Sequence, residues 1–246
     1  MEPQIIFASD FEGQHNSGIV QAARRVEASA GYKNLSTIMI VPTRGGNSLS
    51  AKWVSSMLSL VKPMNQKLVG PVFFAGMEVG EAYNKAIRMI QQEPKLDSIR
   101  FMLTWEDDVC PQPDALMKLY EAQAQTNADV VSALYWGKGE CGQPMIYGDI
   151  NDPEENYRPM MPVKEQIVPC YGTGMGFTLF ELSQFKNKVK GPNWFESVQE
   201  WKPEEGVIQS TQDLDYAKKL NAAGGKLVVA CAAKAGHYDA QEDLLW

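Results

Sequence analysis

The sequence predicts an α/β fold: a single domain on a mixed, largely parallel sheet flanked by helices. Three observations predict it. Between Leu35 and Tyr135, apolar runs of strand length alternate with stretches of helical pattern in the order β-α-β-α-β-α-β, which places helices over a mostly parallel sheet. Thr37-Ile38-Met39-Ile40-Val41 is an almost unbroken apolar run, the mark of a strand buried on both faces. Turn-forming segments follow the carboxyl ends of these strands, the edge where ligands bind in open α/β sheets.

The elements follow in order. Residues 1–34 form an N-terminal extension, with a short strand over Gln4–Asp10 and a helix over Ile19–Ala30 that Gly31 stops; His15 lies in a polar turn and reads as a surface residue. The domain proper spans 35–246. Its first strand stops at Pro42-Thr43-Arg44-Gly45-Gly46-Asn47, and a helix capped by Ser48 or Ser50 carries Trp53, Val54, Met57, Leu58 and Val61 on one stripe to Lys62-Pro63. Gly70–Ala75 is a second strand, and Glu81–Gln92 a helix. An apolar run from Ser98 to Trp105 is a third strand. Pro113-Asp114 opens a helix to about Thr126, proline being suited to a first turn that needs no backbone donor. Ala128–Tyr135 is a fourth strand.

Beyond Trp136 the pattern loosens into a Gly- and Pro-bearing loop with short strands, including the acidic run Asp149–Glu155. Gln166–Cys170 is a strand candidate, and Tyr171-Gly172-Thr173-Gly174-Met175-Gly176 leads into Phe177–Phe180. Glycine at this density permits a backbone to approach a ligand closely, or equally makes a tight packing turn. Trp194, Phe195 and Trp201 could face sugar rings or anchor the core. A helix with Thr211 as N-cap runs to Ala223 and stops at Gly224-Gly225, and Lys226–Ala232 is the last strand, with Gly236-His237 after it.

Composition bounds the function. The 246 residues carry 44% hydrophobic and 22% charged side chains with a net charge of −7. That balance, with no Lys/Arg block, argues against binding a nucleic-acid backbone. Nothing approaches the roughly 20 apolar residues of a transmembrane helix, and no secretory leader is visible at Met1-Glu2-Pro3-Gln4. Cys110, Cys141, Cys170 and Cys231 are scattered and form no CxxC pair, which suits free thiols and a cytoplasmic location.

The chemistry concentrates at Trp105-Glu106-Asp107-Asp108-Val109. Three adjacent carboxylates at the end of a buried strand repel one another and are best tolerated beside a hard divalent cation, which also leaves positions for substrate phosphates. A solvated acidic loop is the plain alternative. Alternation along an extended chain would put Glu106 and Asp108 on one side and Asp107 on the other. Asp213 falls in the first turn of its helix, where the helix dipole favours negative charge.

Taken together, these segments resemble a glycosyltransferase of the GT-A fold, most like glycosyltransferase family 2. The likeness rests on Ile38–Arg44, on Gly80-Glu81-Ala82-Tyr83-Asn84-Lys85-Ala86, on the DxD-like Phe101–Val109, on Gln212-Asp213-Leu214-Asp215-Tyr216 and on Gly236-His237, which occur in the family's order. Glu106 stands where the family usually has aspartate, Gln212 where it usually has glutamate, and Tyr83 where arginine is common. The resemblance implies a metal-dependent hexosyltransferase-like enzyme that takes a nucleotide-diphosphate sugar as donor and an unidentified sugar, lipid or protein hydroxyl as acceptor. It implies Mn²⁺ or Mg²⁺ held by Asp108, His237 and Glu106, and Asp213 as the base of an inverting transfer. Donor contacts would come from Pro42, Thr43, Arg44, Asn84, Glu106, Asp107, Gly172, Thr173 and Gly174. A retaining transferase, a non-catalytic nucleotide-sugar-binding protein and a nucleotidyltransferase are the alternatives.

Overall fold

The computed structural model describes residues 34–45, 49–151, 157–204 and 206–246. The expected strand and helix in residues 1–34, His15, the Gly46-Asn47-Ser48 turn and most of the acidic run at 152–156 lie outside the described residues. Among those described, β1 (Thr37–Thr43) leads to α1 (Ala51–Ser59), β2 (Leu68–Ala75) and α2 (Val79–Gln92). Then come β3 (Phe101–Trp105), β4 (Val109–Pro111), α3 (Ala115–Thr126), β5 (Val130–Leu134), β6 (Ile146–Asp149), β7 (Ile167–Thr173) and β8 (Phe177–Glu181). The chain continues through α4 (Gln184–Asn187), β9 (Val198–Lys202), β10 (Gly206–Ser210), α5 (Gln212–Ala222), β11 (Leu227–Asp239) and β12 (Leu244–Leu245).

The central sheet has the order β2-β1-β3-β8-β5-β11-β7-β6. Strands β2, β1, β3, β5, β11 and β6 run one way, and β8 and β7 run against them. The sheet is therefore mixed and largely parallel, as expected. Alternate residues of β1 serve two cores. Ile38 and Ile40 pack with Tyr83 and Ile87 of α2 and Tyr216 and Leu220 of α5. Met39 and Val41 pack with Trp53 of α1 and Leu116 and Leu119 of α3. Helices on both faces leave no polar side for the strand, which explains the unbroken apolar run.

Several boundaries differ from expectation for identifiable reasons. Pro42 lies inside β1, pairing Phe74, because pairing with β3 has already ended at Ile40–Thr104 and its missing N–H leaves nothing unpaired on that side. Helix α1 is capped by the Ser50 side chain and closes at Ser59, short of Lys62-Pro63. Helix α3 begins at Ala115, and Pro113 instead offers its carbonyl to the Val61 N–H at 2.7 Å.

The largest difference is at the C-terminus. β11 runs parallel to β5 through Ala230, breaks register, and continues as an antiparallel partner of β4 and β12. His237 is consequently a strand residue paired with Val109, not part of a trailing loop. No helix among the described residues is long and apolar enough to cross a membrane.

Candidate active site

The acidic triplet occupies a turn. β3 ends at Trp105, and the Val109 N–H donates to the Glu106 carbonyl at 3.1 Å to start β4. This corrects the expectation of alternating sides along an extended chain: a turn splays the three carboxylates differently. The turn is pinned from three directions. The Glu106 N–H donates to the Gly176 carbonyl at 2.9 Å, the Trp53 indole donates to the Glu106 carbonyl at 3.0 Å, and the Tyr238 N–H donates to the Asp108 carbonyl at 2.6 Å.

Each carboxylate has its own surroundings. The Tyr83 hydroxyl donates to Glu106 Oε1 at 3.2 Å. Burial, then the charges of Asp108 and Asp213, push the Glu106 carboxyl up to about 8 against that hydrogen bond. Asp108 goes the other way. Burial raises its pKa, but hydrogen bonds from His237 and Lys138 outweigh this and hold it at about 2. Lys138 Nζ lies 2.6 Å from Asp108 Oδ2, and His237 Nε2 lies 3.4 Å from the same oxygen.

His237 reaches Asp108 because the β11–β4 ladder sets it beside Val109. Its Nδ1 lies 2.9 Å from the Trp136 carbonyl, and its ring meets Tyr135 edge-on at 5.6 Å between centroids. A carbonyl can only accept, so Nδ1 donates to it, and Nε2 is the ring nitrogen that faces Asp108.

Pro42, Thr43 and Arg44, at the end of β1, line one small pocket of about 90 Å³ with Glu106, Asp107, Asp108, Met77 and Val79. The parallel β1–β3 pairing sets the ends of these two strands side by side. Asp213 approaches from α5. That helix is anchored by buried Tyr216, Ala217 and Leu220, with Tyr216 stacked on Phe195 at 4.4 Å. The Thr211 hydroxyl donates to Asp213 rather than capping the helix, and the Leu214 N–H donates to Asp213 Oδ1 at 2.9 Å. Burial dominates and raises the Asp213 pKa. Its neighbour Asp215 is committed elsewhere, accepting from the Glu196 N–H at 3.1 Å and pairing Lys219 at 2.7 Å.

No protein-family model matches the chain, and neither does any curated protein sequence. Among solved structures, the chain is similar to A197 from STIV, with a TM-score of 0.58 and 16% identity over 85% of this chain and 92% of that one. It is also similar to GalNAc-T7, solved with UDP, GalNAc and Mn²⁺, with a TM-score of 0.52 and 12% identity. That match covers 84% of this chain and 44% of GalNAc-T7, so this chain spans less than half of the larger protein. The chain has the GT-A fold. At these identities the likeness is one of fold.

Within that GT-A fold, the structure gathers Pro42, Thr43, Arg44, Glu106, Asp107 and Asp108 at one pocket and sets His237 against Asp108. The Asp213 charge reaches Glu106. Other expected site residues are engaged in packing. The Asn84 amide donates to the Phe195 carbonyl at 2.7 Å and accepts from the Trp194 and Phe195 N–H groups at 2.9 and 3.0 Å, so it clamps α2 to a neighbouring turn. The Thr173 hydroxyl donates to the Met145 carbonyl at 2.8 Å. A Cβ on Gly174 would sit 2.1 Å from the Tyr135 hydroxyl, and one on Gly172 would sit 2.8 Å from Leu214. These glycines are small because side chains cover them. Trp194 and Phe195 are buried core residues.

Among the described residues, no three His, Cys, Asp or Glu side chains converge as a metal cluster, so Glu106 does not join Asp108 and His237. The donor set still fits an ion whose remaining positions are filled by water and substrate oxygens. One partly buried carboxylate and one imidazole nitrogen meet at a point already held by a cation, the Lys138 ammonium. Sequence reasoning missed Lys138, Trp136 and Tyr135. A lysine between two glycines just after a strand was the available signal.

Proposed function

We propose that this chain is a metal-dependent glycosyltransferase that moves a sugar from a nucleotide-diphosphate sugar to an acceptor hydroxyl with inversion. The observation that carries this reading is the shared pocket of Pro42-Thr43-Arg44 and Glu106-Asp107-Asp108, with His237 aimed at Asp108. The GT-A fold agrees with it, and the similar GalNAc-T7 was solved with UDP and Mn²⁺.

In this reading Pro42, Thr43 and Arg44 flank the base and ribose of the donor, and Asp107 serves the ribose side. Asp108 and His237 Nε2 would hold Mn²⁺ or Mg²⁺, which when bound acts as a Lewis acid on the departing diphosphate. Glu106, which accepts from the Tyr83 hydroxyl, is then a wall of the same pocket.

Asp213 takes the proton from the acceptor hydroxyl. Its burial raises its pKa toward the working range of a base. Rigid anchoring of α5 by Tyr216 and Leu220 keeps it oriented. Gly172 and Thr173 lie beside Leu214 and Met145, shaping the acceptor side through packing.

The test is incubation with Mn²⁺ and a panel of nucleotide-diphosphate sugars, following nucleoside diphosphate release with and without sugar acceptors. Release that requires Mn²⁺ supports the proposal. Pyrophosphate release would instead indicate a nucleotidyltransferase, and binding without turnover a sugar-nucleotide-binding protein. Retention of anomeric configuration in the product would remove the base role from Asp213.

A further inference from the structure

The loop after β5 carries a cation into the site that the proposed mechanism leaves unused. Lys138 sits between Gly137 and Gly139 in a loop closed on itself: the Gly137 N–H donates to the Gln143 carbonyl and the Gly142 N–H to the Gly139 carbonyl, each at 2.8 Å. A bridge between Trp136 and Pro144 closes its base. The same loop supplies the Trp136 carbonyl that orients His237. One oxygen, Asp108 Oδ2, thus faces the Lys138 ammonium at 2.6 Å and His237 Nε2 at 3.4 Å.

We infer that Lys138 is a positioning residue, a built-in cation that competes with the divalent ion for Asp108 and serves the diphosphate once displaced. The inference rests on the reading of Asp108 and His237 as the metal-holding pair. The partly buried Asp108 carboxylate is stabilised by positive charge nearby before any ligand arrives, and the ammonium supplies it. A dication approaching the same oxygen must move the ammonium, because the two cations repel at contact distance.

Lysine suits that movement. Its charge is compact, its stem is long and flexible, and it binds phosphates as a point charge. The side chain is 31% exposed, so it has room to turn. No bond forms or breaks in this exchange. Asp108 trades one cation for another, and the freed ammonium turns to the anion that accompanies the metal. Metal loading would then be weak alone and stronger when a diphosphate is present.

The experiment is a Mn²⁺ titration, read as free Mn²⁺ by electron paramagnetic resonance, on wild type, Lys138→Met and Lys138→Arg. Each protein is titrated with Mn²⁺ alone, and then the Mn²⁺-loaded protein is titrated with inorganic pyrophosphate. Lys138→Met is expected to bind Mn²⁺ alone about tenfold tighter, the scale of one charge-assisted hydrogen bond removed, and to bind pyrophosphate more weakly. Lys138→Arg should return both affinities toward wild type. Equal or weaker Mn²⁺ binding by Lys138→Met overturns the inference and leaves the metal reading intact. If neither wild type nor Lys138→Met binds Mn²⁺, the metal reading itself fails and takes the inference with it.

Discussion

His237 Nε2 faces Asp108 Oδ2 at 3.4 Å because its opposite ring nitrogen is held 2.9 Å from the Trp136 carbonyl. A residue late in β11 and a residue in the β3–β4 turn are joined by an antiparallel ladder and fixed in tautomer by a third strand's loop. His237→Ala should weaken Mn²⁺ affinity by about 10–100-fold, as losing a metal-site partner does. Calorimetric titration with Mn²⁺ checks this, and unchanged affinity would remove His237 from the site.

Asp213 and Asp215 stand two residues apart with different fates. Asp213→Asn should leave Mn²⁺-dependent donor binding intact and lower transfer by about 10²–10⁴-fold, the usual share of a general base. Asp215→Asn should instead cost stability, since it loses Lys219 and weakens the bond from the Glu196 N–H. Single-turnover transfer and thermal melts on both variants separate the roles; normal transfer by Asp213→Asn would place the base elsewhere.

Glu106 should make the protein less stable as pH rises. In the folded chain its pKa is about 8 against an ordinary 4.5. Between those values the folded state keeps a proton that the unfolded chain has released. Unfolding therefore releases a proton, and stability falls with rising pH until it levels off above about 8. Glu106→Gln removes this dependence while leaving an amide for Tyr83. In chelator, denaturation at pH 5 and pH 8 should show the variant's advantage growing with pH. A constant difference would contradict the assigned environment of Glu106.

Asn84 was legible as a residue worth naming, but its environment was not. Asn84→Ala would leave two buried N–H groups and one carbonyl without partners. The expected loss is about 3 kcal/mol, or roughly 6–12 °C in melting temperature for a domain of this size. Nucleotide binding by the folded fraction should be unchanged. A melting temperature within 1–2 °C or so of wild type would contradict the clamp.

Local pattern revealed much of this fold. Continuous apolar runs identified β1, β3 and β5, and helical stripes identified α1, α2, α3 and α5, because burial on both sheet faces leaves a direct imprint on residue type. Non-local pairing left weaker traces. Nothing around Gly236-His237 announced that β11 would break register after Ala230 and pair with β4, because register is set by distant partners. The same limit hid Lys138, whose significance comes from a carboxylate thirty residues earlier in the chain. The glycines at Gly172 and Gly174 were visible, but only the covering Leu214 and Tyr135 decide between packing and ligand approach.

The pocket at Pro42-Thr43-Arg44 and Glu106-Asp107-Asp108 should bind a nucleoside diphosphate through a divalent ion. The most direct measurement is the thermal shift of wild type and Asp108→Asn with each common nucleoside diphosphate, with and without Mn²⁺. At about 100-fold excess over Kd, binding stabilises by roughly 2.7 kcal/mol, a readily measured shift. At least one nucleoside diphosphate should stabilise wild type only when Mn²⁺ is present, and Asp108→Asn should show no such shift. Stabilisation by none of them, or an equal shift in Asp108→Asn, would contradict it.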